Sequence, residues 1–139
     1  MRVLLDTNIV SELVAKQPNP KVLEWIDSLD ANAVYLPVIT IGELRHGIET
    51  LPESKRKNNL RHWLDEELSL RFYGRILTID SEVMMAWGVL MAQLEREGRP
   101  MPAMDSLIAA IAIRHDCVLA TRNNEDFAAC GIPTINPWT

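Results

Sequence analysis

The chain has 139 residues, 47% hydrophobic and 24% charged, with a formal net charge of −5. That balance supports one packed core and argues against disorder, and the acidity excludes a passive, uniformly basic nucleic-acid binder. Contact with a polyanion then needs bound cations or a local basic patch, and two cysteines, Cys117 and Cys130, do not make a disulfide framework.

The first run, Val3-Leu4-Leu5, has the pattern of a short strand buried on both faces. It stops at Asp6, and Ile9, Val10, Leu13 and Val14 then recur at helical spacing, so Asp6 is placed where a buried strand hands over to a helix. After the break Lys16-Gln17-Pro18-Asn19-Pro20, the apolar spacing of Val22, Leu23, Trp25, Ile26 and Leu29 predicts a short amphipathic helix. Val34-Tyr35-Leu36 reads as a second strand closed by Pro37. Thr40-Ile41-Gly42-Glu43 opens a further helix that Leu44, Ile48 and Leu51 carry to Pro52. The next helix sets Leu60, Trp63, Leu64 and Leu68 on one face and begins with Ser54-Lys55-Arg56-Lys57, the densest basic cluster.

Arg75 to Ile79 reads as a third strand, with Asp80 capping a helix that runs through Val83, Trp87, Leu90, Met91 and Leu94 to Gly98. Pro100-Met101-Pro102 breaks the chain before a nearly all-apolar, hence buried, helix from Asp105 to His115. Cys117 to Thr121 is a fourth strand, Arg122 to Phe127 a polar stretch with a helical turn, and Pro133-Thr134-Ile135 a last short strand. Cys117 reads as a small core hydrophobe. Asp6 interrupts the first apolar run too early for a signal peptide, and no run is long enough to cross a bilayer, so a soluble cytoplasmic protein is expected. Strands alternating with helices predict a doubly wound parallel sheet with helices on both faces, an α/β/α sandwich, and residues 1–139 form a single domain.

Four acids, Asp6, Glu43, Asp105 and Asp126, fall just after strands or in first helical turns. Each has an ordinary explanation as a helix cap: Thr40-x-x-Glu43 fits a capping box, Asp105 and Asp6 can cap their helices, and Asp126 can follow an Asn123 cap. Together they fall at one edge of the predicted sheet, where like charges cost on the order of a few kcal/mol per close pair at an effective dielectric near 20. A divalent cation offsets that cost, and an all-oxygen donor set favours Mg²⁺ or Mn²⁺. Thr7, Asn8 and Thr121 supply hydroxyl and amide groups beside those ligands. Other chemistries lack their motifs: the three histidines, His46, His62 and His115, have no metal-ligand spacing, and no serine elbow or complete phosphate loop is present.

Leu5-Asp6-Thr7-Asn8, Thr40-x-x-Glu43-Leu44, Met104-Asp105-Ser106-Leu107-Ile108-Ala109, Ala120-Thr121-Arg122-Asn123 and Asn136-Pro137-Trp138 resemble, as an ordered set over nearly the whole chain, the PIN-domain ribonuclease toxins of the VapC type, including the similar FitB group. The resemblance implies a Mg²⁺- or Mn²⁺-dependent endoribonuclease that dimerises and is silenced by a small antitoxin. It carries Asp6, Glu43 and Asp105 onto the central acidic positions as catalytic and metal-binding residues. Asp126, before Phe127, takes the fourth, with Asn123 as polar support or as the alternative occupant of that place. RNA is then expected at Arg45 and Arg122 near the cleft, extended by Lys55, Arg56, Lys57 and Arg61, whose other reading is a solvated helix face. Two rival functions are a phosphatase or phosphotransferase using Asp6 itself, and a non-catalytic acidic interaction module.

Overall fold

The computed structural model describes residues 1–139. Five parallel strands form one sheet in the order β3-β2-β1-β4-β5, with β1 Arg2–Leu5, β2 Val34–Pro37, β3 Ile76–Leu77, β4 Cys117–Ala120 and β5 Thr134–Ile135. β1 pairs with β2 on one side and β4 on the other, so it is central and cannot face water. Its alternation divides the core. Val3 and Leu5 join the apolar layer beneath α1 (Thr7–Glu12), α2 (Pro20–Asp27), α3 (Val38–Glu49) and α4 (Lys55–His62). Leu4 points the other way, into the layer beneath α6 (Ser81–Arg96) and α7 (Ala103–His115). Leu4 and Leu5 are both fully buried, and each burial stabilises by roughly 2 kcal/mol.

α7 is buried from Ile108 to Ala112, as its all-apolar sequence requires, and it packs on α6. α4 does not stop at His62. Trp63–Leu68 is a π-helical turn, after which α5 (Ser69–Arg71) closes the segment. The wide turn keeps Leu64 and Leu68 buried against the β1 layer, the face that the leucine spacing predicts.

β3 is shorter than the five-residue strand expected from Arg75 to Ile79. Its partner β2 pairs Leu36 with Ile76 and Pro37 with Leu77, and α3 begins at Val38. Thr78 and Ile79 therefore have no strand beside them. α6 ends in a closed αL cap: Gly98, at φ 64°, donates to the Glu95 carbonyl and Arg99 to the Leu94 carbonyl. α7 ends at Asp116, a non-glycine residue at φ 55°.

Because all strands run one way, the chain leaves β1, β2 and β4 at a single edge. α7 packs beneath the sheet as the crossover into β4, which brings its N-terminal turn to that edge. No helix is long and apolar enough to cross a membrane.

Candidate active site

Asp6 leaves β1 as the N-cap of α1 and is buried. Its Oδ1 accepts from the Thr7 backbone N–H at 2.8 Å, so the capping role predicted for it is present. Its Oδ2 accepts from the Thr121 hydroxyl at 2.8 Å, a contact that no cap requires. The Asn8 amide adds longer contacts of 3.4 Å to Asp6 and 3.5 Å to Thr121. Thr121 is fully buried and also accepts the Asn123 backbone N–H at 3.1 Å.

For Glu43 the capping box is overturned. α3 starts two residues before Thr40, with Pro37 at its N-cap and no side-chain cap bond. Glu43 is thus inside the helix, half-buried, and its Oε1 accepts from the Thr7 hydroxyl at 2.6 Å. Thr40, fully buried, puts its own hydroxyl 3.2 Å from that of Thr7.

Asp105 does not cap α7 either, since Pro102 occupies the cap and makes no side-chain bond. It lies in the first turn, half-buried, with no hydrogen-bond donor of its own chain. Burial, then the charges of Asp6, Glu43 and Asp126, hold its carboxyl above the usual carboxylate range. Asp126 is exposed in a 3₁₀ segment, Asn124–Cys130. Asn123 occupies the N-cap of that segment without a side-chain cap bond, so the Asn123 cap expected there is absent. The four predicted acids therefore share one electrostatic field, in which Asp105 feels the other three.

They do not form a ready-made chelate, because no three His, Cys, Asp or Glu side chains stand at metal-binding spacing. Direct coordination by three or more of the acids is thus not preformed. The donor chemistry still fits a hard cation. The groups are all oxygen, Asp105 has no donor opposite it, and Mg²⁺ keeps several waters that bridge wider gaps than a direct ligand can.

Two features beside the acids are not apparent from the sequence pattern. Trp87 Nε1 donates to Ser106 Oγ at 2.9 Å, and Ser106 donates to the Ala103 carbonyl at 2.6 Å, bracing the turn that carries Asp105. The only hint was a lone hydroxyl opening the apolar run of α7. Arg99, exposed, lines a cleft of about 320 Å³ together with Asp105, Glu125 and Asp126.

The basic residues separate into two groups. Lys57 is only 5% exposed, and its Nζ donates to the carbonyls of Glu49 and Leu51 and pairs with Glu53. It stoppers the end of α3 and has no ammonium to offer a phosphate, which corrects its expected RNA contact. Arg45 pairs with Glu49 and Asp65, and Arg56 donates to the Val14 carbonyl. Lys55 is exposed on α4, whereas Arg122 lies at the rim, with its guanidinium 5.1 Å from the centre of the Trp138 ring.

The rivals lose ground on the same geometry. Asp6 is buried, and both of its oxygens accept hydrogen bonds from its own chain, which suits a fixed ligand better than a phosphorylated nucleophile. Acids that serve only as caps do not account for Glu43 or Asp105.

Sheet, layers and rim together define an α/β/α domain whose polar edge gathers carboxylates and hydroxyls. The chain belongs to the PIN domain family, whose model matches residues 3–132. It is 39% identical over 136 residues to Toxin FitB of Neisseria gonorrhoeae, covering 98% of each chain. It is 38% identical over 136 residues to VapC ribonuclease Y4jK of Sinorhizobium fredii, covering 98% of this chain and 97% of that one. In structure it is similar to FitAcB from Neisseria gonorrhoeae, with a TM-score of 0.93 at 39% identity over 98% of both chains.

Proposed function

We propose that the protein is a divalent-metal-dependent endoribonuclease acting as the toxin of a toxin–antitoxin pair. The observation that carries this reading is a pair of acids that no helix cap explains: Asp105, a carboxyl without a donor in the first turn of α7, and Glu43, held inside α3 by the Thr7 hydroxyl. The similarity to proteins named toxin and ribonuclease supports it across almost the full chain.

In this reading Asp6, Glu43, Asp105 and Asp126 hold Mg²⁺ or Mn²⁺, directly or through water. Such an ion supplies charge neutralisation at the phosphate and a water of lowered pKa. The chain's own residues do the positioning. Thr121, Asn8 and the Thr7 backbone N–H fix the Asp6 carboxylate, and the Thr7 hydroxyl holds Glu43. Trp87 and Ser106 steady the turn beneath Asp105. No side chain is needed as a covalent nucleophile.

A small antitoxin and a second copy of the chain are the proposed protein partners. The exposed Met85 and Val89 on the outer side of α6 support a homodimer through that helix. The test is incubation with defined RNAs, with and without Mn²⁺, beside an Asp105→Ala control. Metal-dependent fragments from the wild type alone are expected, and equal cleavage by the control or without metal would remove the acid rim from the chemistry.

A further inference from the structure

Half of the 14 lysines and arginines of this acidic chain are already engaged in ion pairs or side-chain hydrogen bonds. Arg61 pairs with Glu49 and Glu53, Arg45 with Glu49 and Asp65, Lys57 with Glu53, and Arg114 with Glu82. Arg75 spends its guanidinium on the carbonyls of Val34 and Arg71. At the acid rim two guanidiniums have no ion pair and donate no hydrogen bond: Arg122 and Arg99. They line neighbouring clefts, of about 520 Å³ and 320 Å³, and the two clefts share Glu125 and Asp126.

Both arginines are held in place by their backbones. The Arg122 N–H donates to Asn8 Oδ1 at 3.2 Å, and its carbonyl accepts from the Asn136 amide at 3.3 Å. Asn8 also touches Asp6, so one amide side chain ties the rim acid to the arginine. The Arg122 guanidinium rests on Trp138, which restrains the plane while leaving the N–H edge unspent. The Arg99 N–H closes the α6 cap on the Leu94 carbonyl at 2.9 Å. The Arg122 guanidinium, already restrained, loses less freedom on binding an anion than a mobile one does, whereas Arg99 is fixed at its backbone alone. The cleft beside Arg122 has no hydrophobic lining, and Asn123 and Asn124 present amides there, while the Asn136 amide is spent on the Arg122 carbonyl and Asn124. Such groups match the donor and acceptor edges of a nucleobase. By contrast, the groove that runs from Glu43 toward Arg56 is lined largely by apolar residues, among them Val14, Leu44, Leu60 and Trp63.

We infer that a single strand of RNA crosses the rim from Arg122 to Arg99, with one phosphate on each guanidinium, Asp126 between them, and the amide-lined cleft receiving the nucleotide on the Arg122 side. This path rests on the ribonuclease reading above. It puts the polyanion where the acids are and leaves the α4 basic cluster off the track.

The test is the salt dependence of binding of a labelled mixed-sequence 12-nucleotide RNA to the full chain, in an Asp6→Asn background that blocks turnover. Arg99→Ala and Arg122→Ala are each expected to weaken binding about fivefold or more and to lower the log–log salt slope by about 0.7. Arg122→Lys should restore the slope but not the full affinity, because ammonium does not stack on Trp138 as guanidinium does. Lys21→Ala, an exposed cation on α2, should change neither quantity. A slope that survives both arginine substitutions, or falls for Lys55→Ala instead, overturns the path while the parent still binds RNA. A parent that binds no RNA takes the ribonuclease reading down with it.

Discussion

Thr7 donates its hydroxyl to Glu43 across 2.6 Å, joining the first residue of α1 to the interior of α3. The Thr7 hydroxyl has one proton, and at that distance the carboxylate takes it. The neighbouring Thr40 hydroxyl, 3.2 Å away, then acts as donor to Thr7, giving a chain of three oxygens that aims Glu43. Thr7→Val keeps the shape and breaks the chain. It should cost about 1–2 kcal/mol in urea unfolding, because a hydrogen bond to a charged group is lost, and RNA cleavage should fall at least about tenfold. Thr7→Ser should retain both stability and cleavage. A valine variant with wild-type turnover would remove Glu43's orientation from the mechanism.

Asp105 is expected to trade stability for function. Its ionised form is disfavoured by burial and by three like charges, so Asp105→Asn relieves repulsion in metal-free protein. Calorimetry should find the variant melting about 2–4 °C above wild type in EDTA. Adding Mn²⁺ should raise the wild-type melting temperature through linkage, with a much smaller gain for the variant, which should also lose RNA cleavage. A variant that melts lower than wild type in EDTA would contradict the crowding of charge at the rim.

Lys57 provides a contrast between basic character and nucleic-acid contact. Lys57→Met keeps the stem packed but strips two carbonyls of the α3 end of their donor. A stability loss of about 2 kcal/mol is expected in denaturant unfolding, with no change in the salt slope of RNA binding. A change in slope would return the ammonium to the RNA surface.

The surface brace between α3 and α4 should be visible in acid. Hydrogen bonding to Arg61, aided by the charges of Arg61, Arg45 and Lys57, brings the Glu49 carboxyl down to about 2 against an ordinary value of 4.5. A lowered carboxyl contributes stability that is complete above its unfolded pKa and is lost as pH falls through its folded one. The melting gap between wild type and Glu49→Gln should therefore hold above pH 4.5, shrink below it, and vanish beneath about pH 2. The site is exposed, so added salt should narrow the gap at neutral pH as well. A gap that ignores both pH and salt would assign the effect to packing.

Local pattern carried most of the architecture. Val3 to Asp6 announces a buried strand ending in a carboxylate, because apolar runs and helical spacing change character at one residue. Gly98 and Asp80 mark their helix boundaries through chemistry that acts within a few residues. The misreadings concern contacts that the local pattern does not encode, whether eight residues away or 36. Thr40-x-x-Glu43 has the letters of a capping box, but Pro37 starts the helix early and turns Glu43 toward Thr7, 36 positions back. Lys57 looks like a solvated cation until the end of α3 folds over it. Thr78 and Ile79 have strand character, yet β2 has already become a helix beside them. The common edge at which β1, β2 and β4 end was legible as topology. The acids' lack of a closed chelate was not, since side-chain spacing across separate elements is not written in any local pattern.

The division of labour within β1 sets where the chain can tolerate inserted residues. Its side chains alternate between two separately packed layers, and its register is fixed on both sides by β2 and β4. One added residue between Arg2 and Leu5 would send Leu4 and Leu5 to the wrong layers and displace Asp6 from Thr121 in the same stroke. The turn between α1 and α2, at Lys16 and Gln17, is exposed and outside the sheet, so lengthening there leaves the strand order untouched. Length variants should therefore survive at that outer corner and be absent from the short strand that bears the first acid.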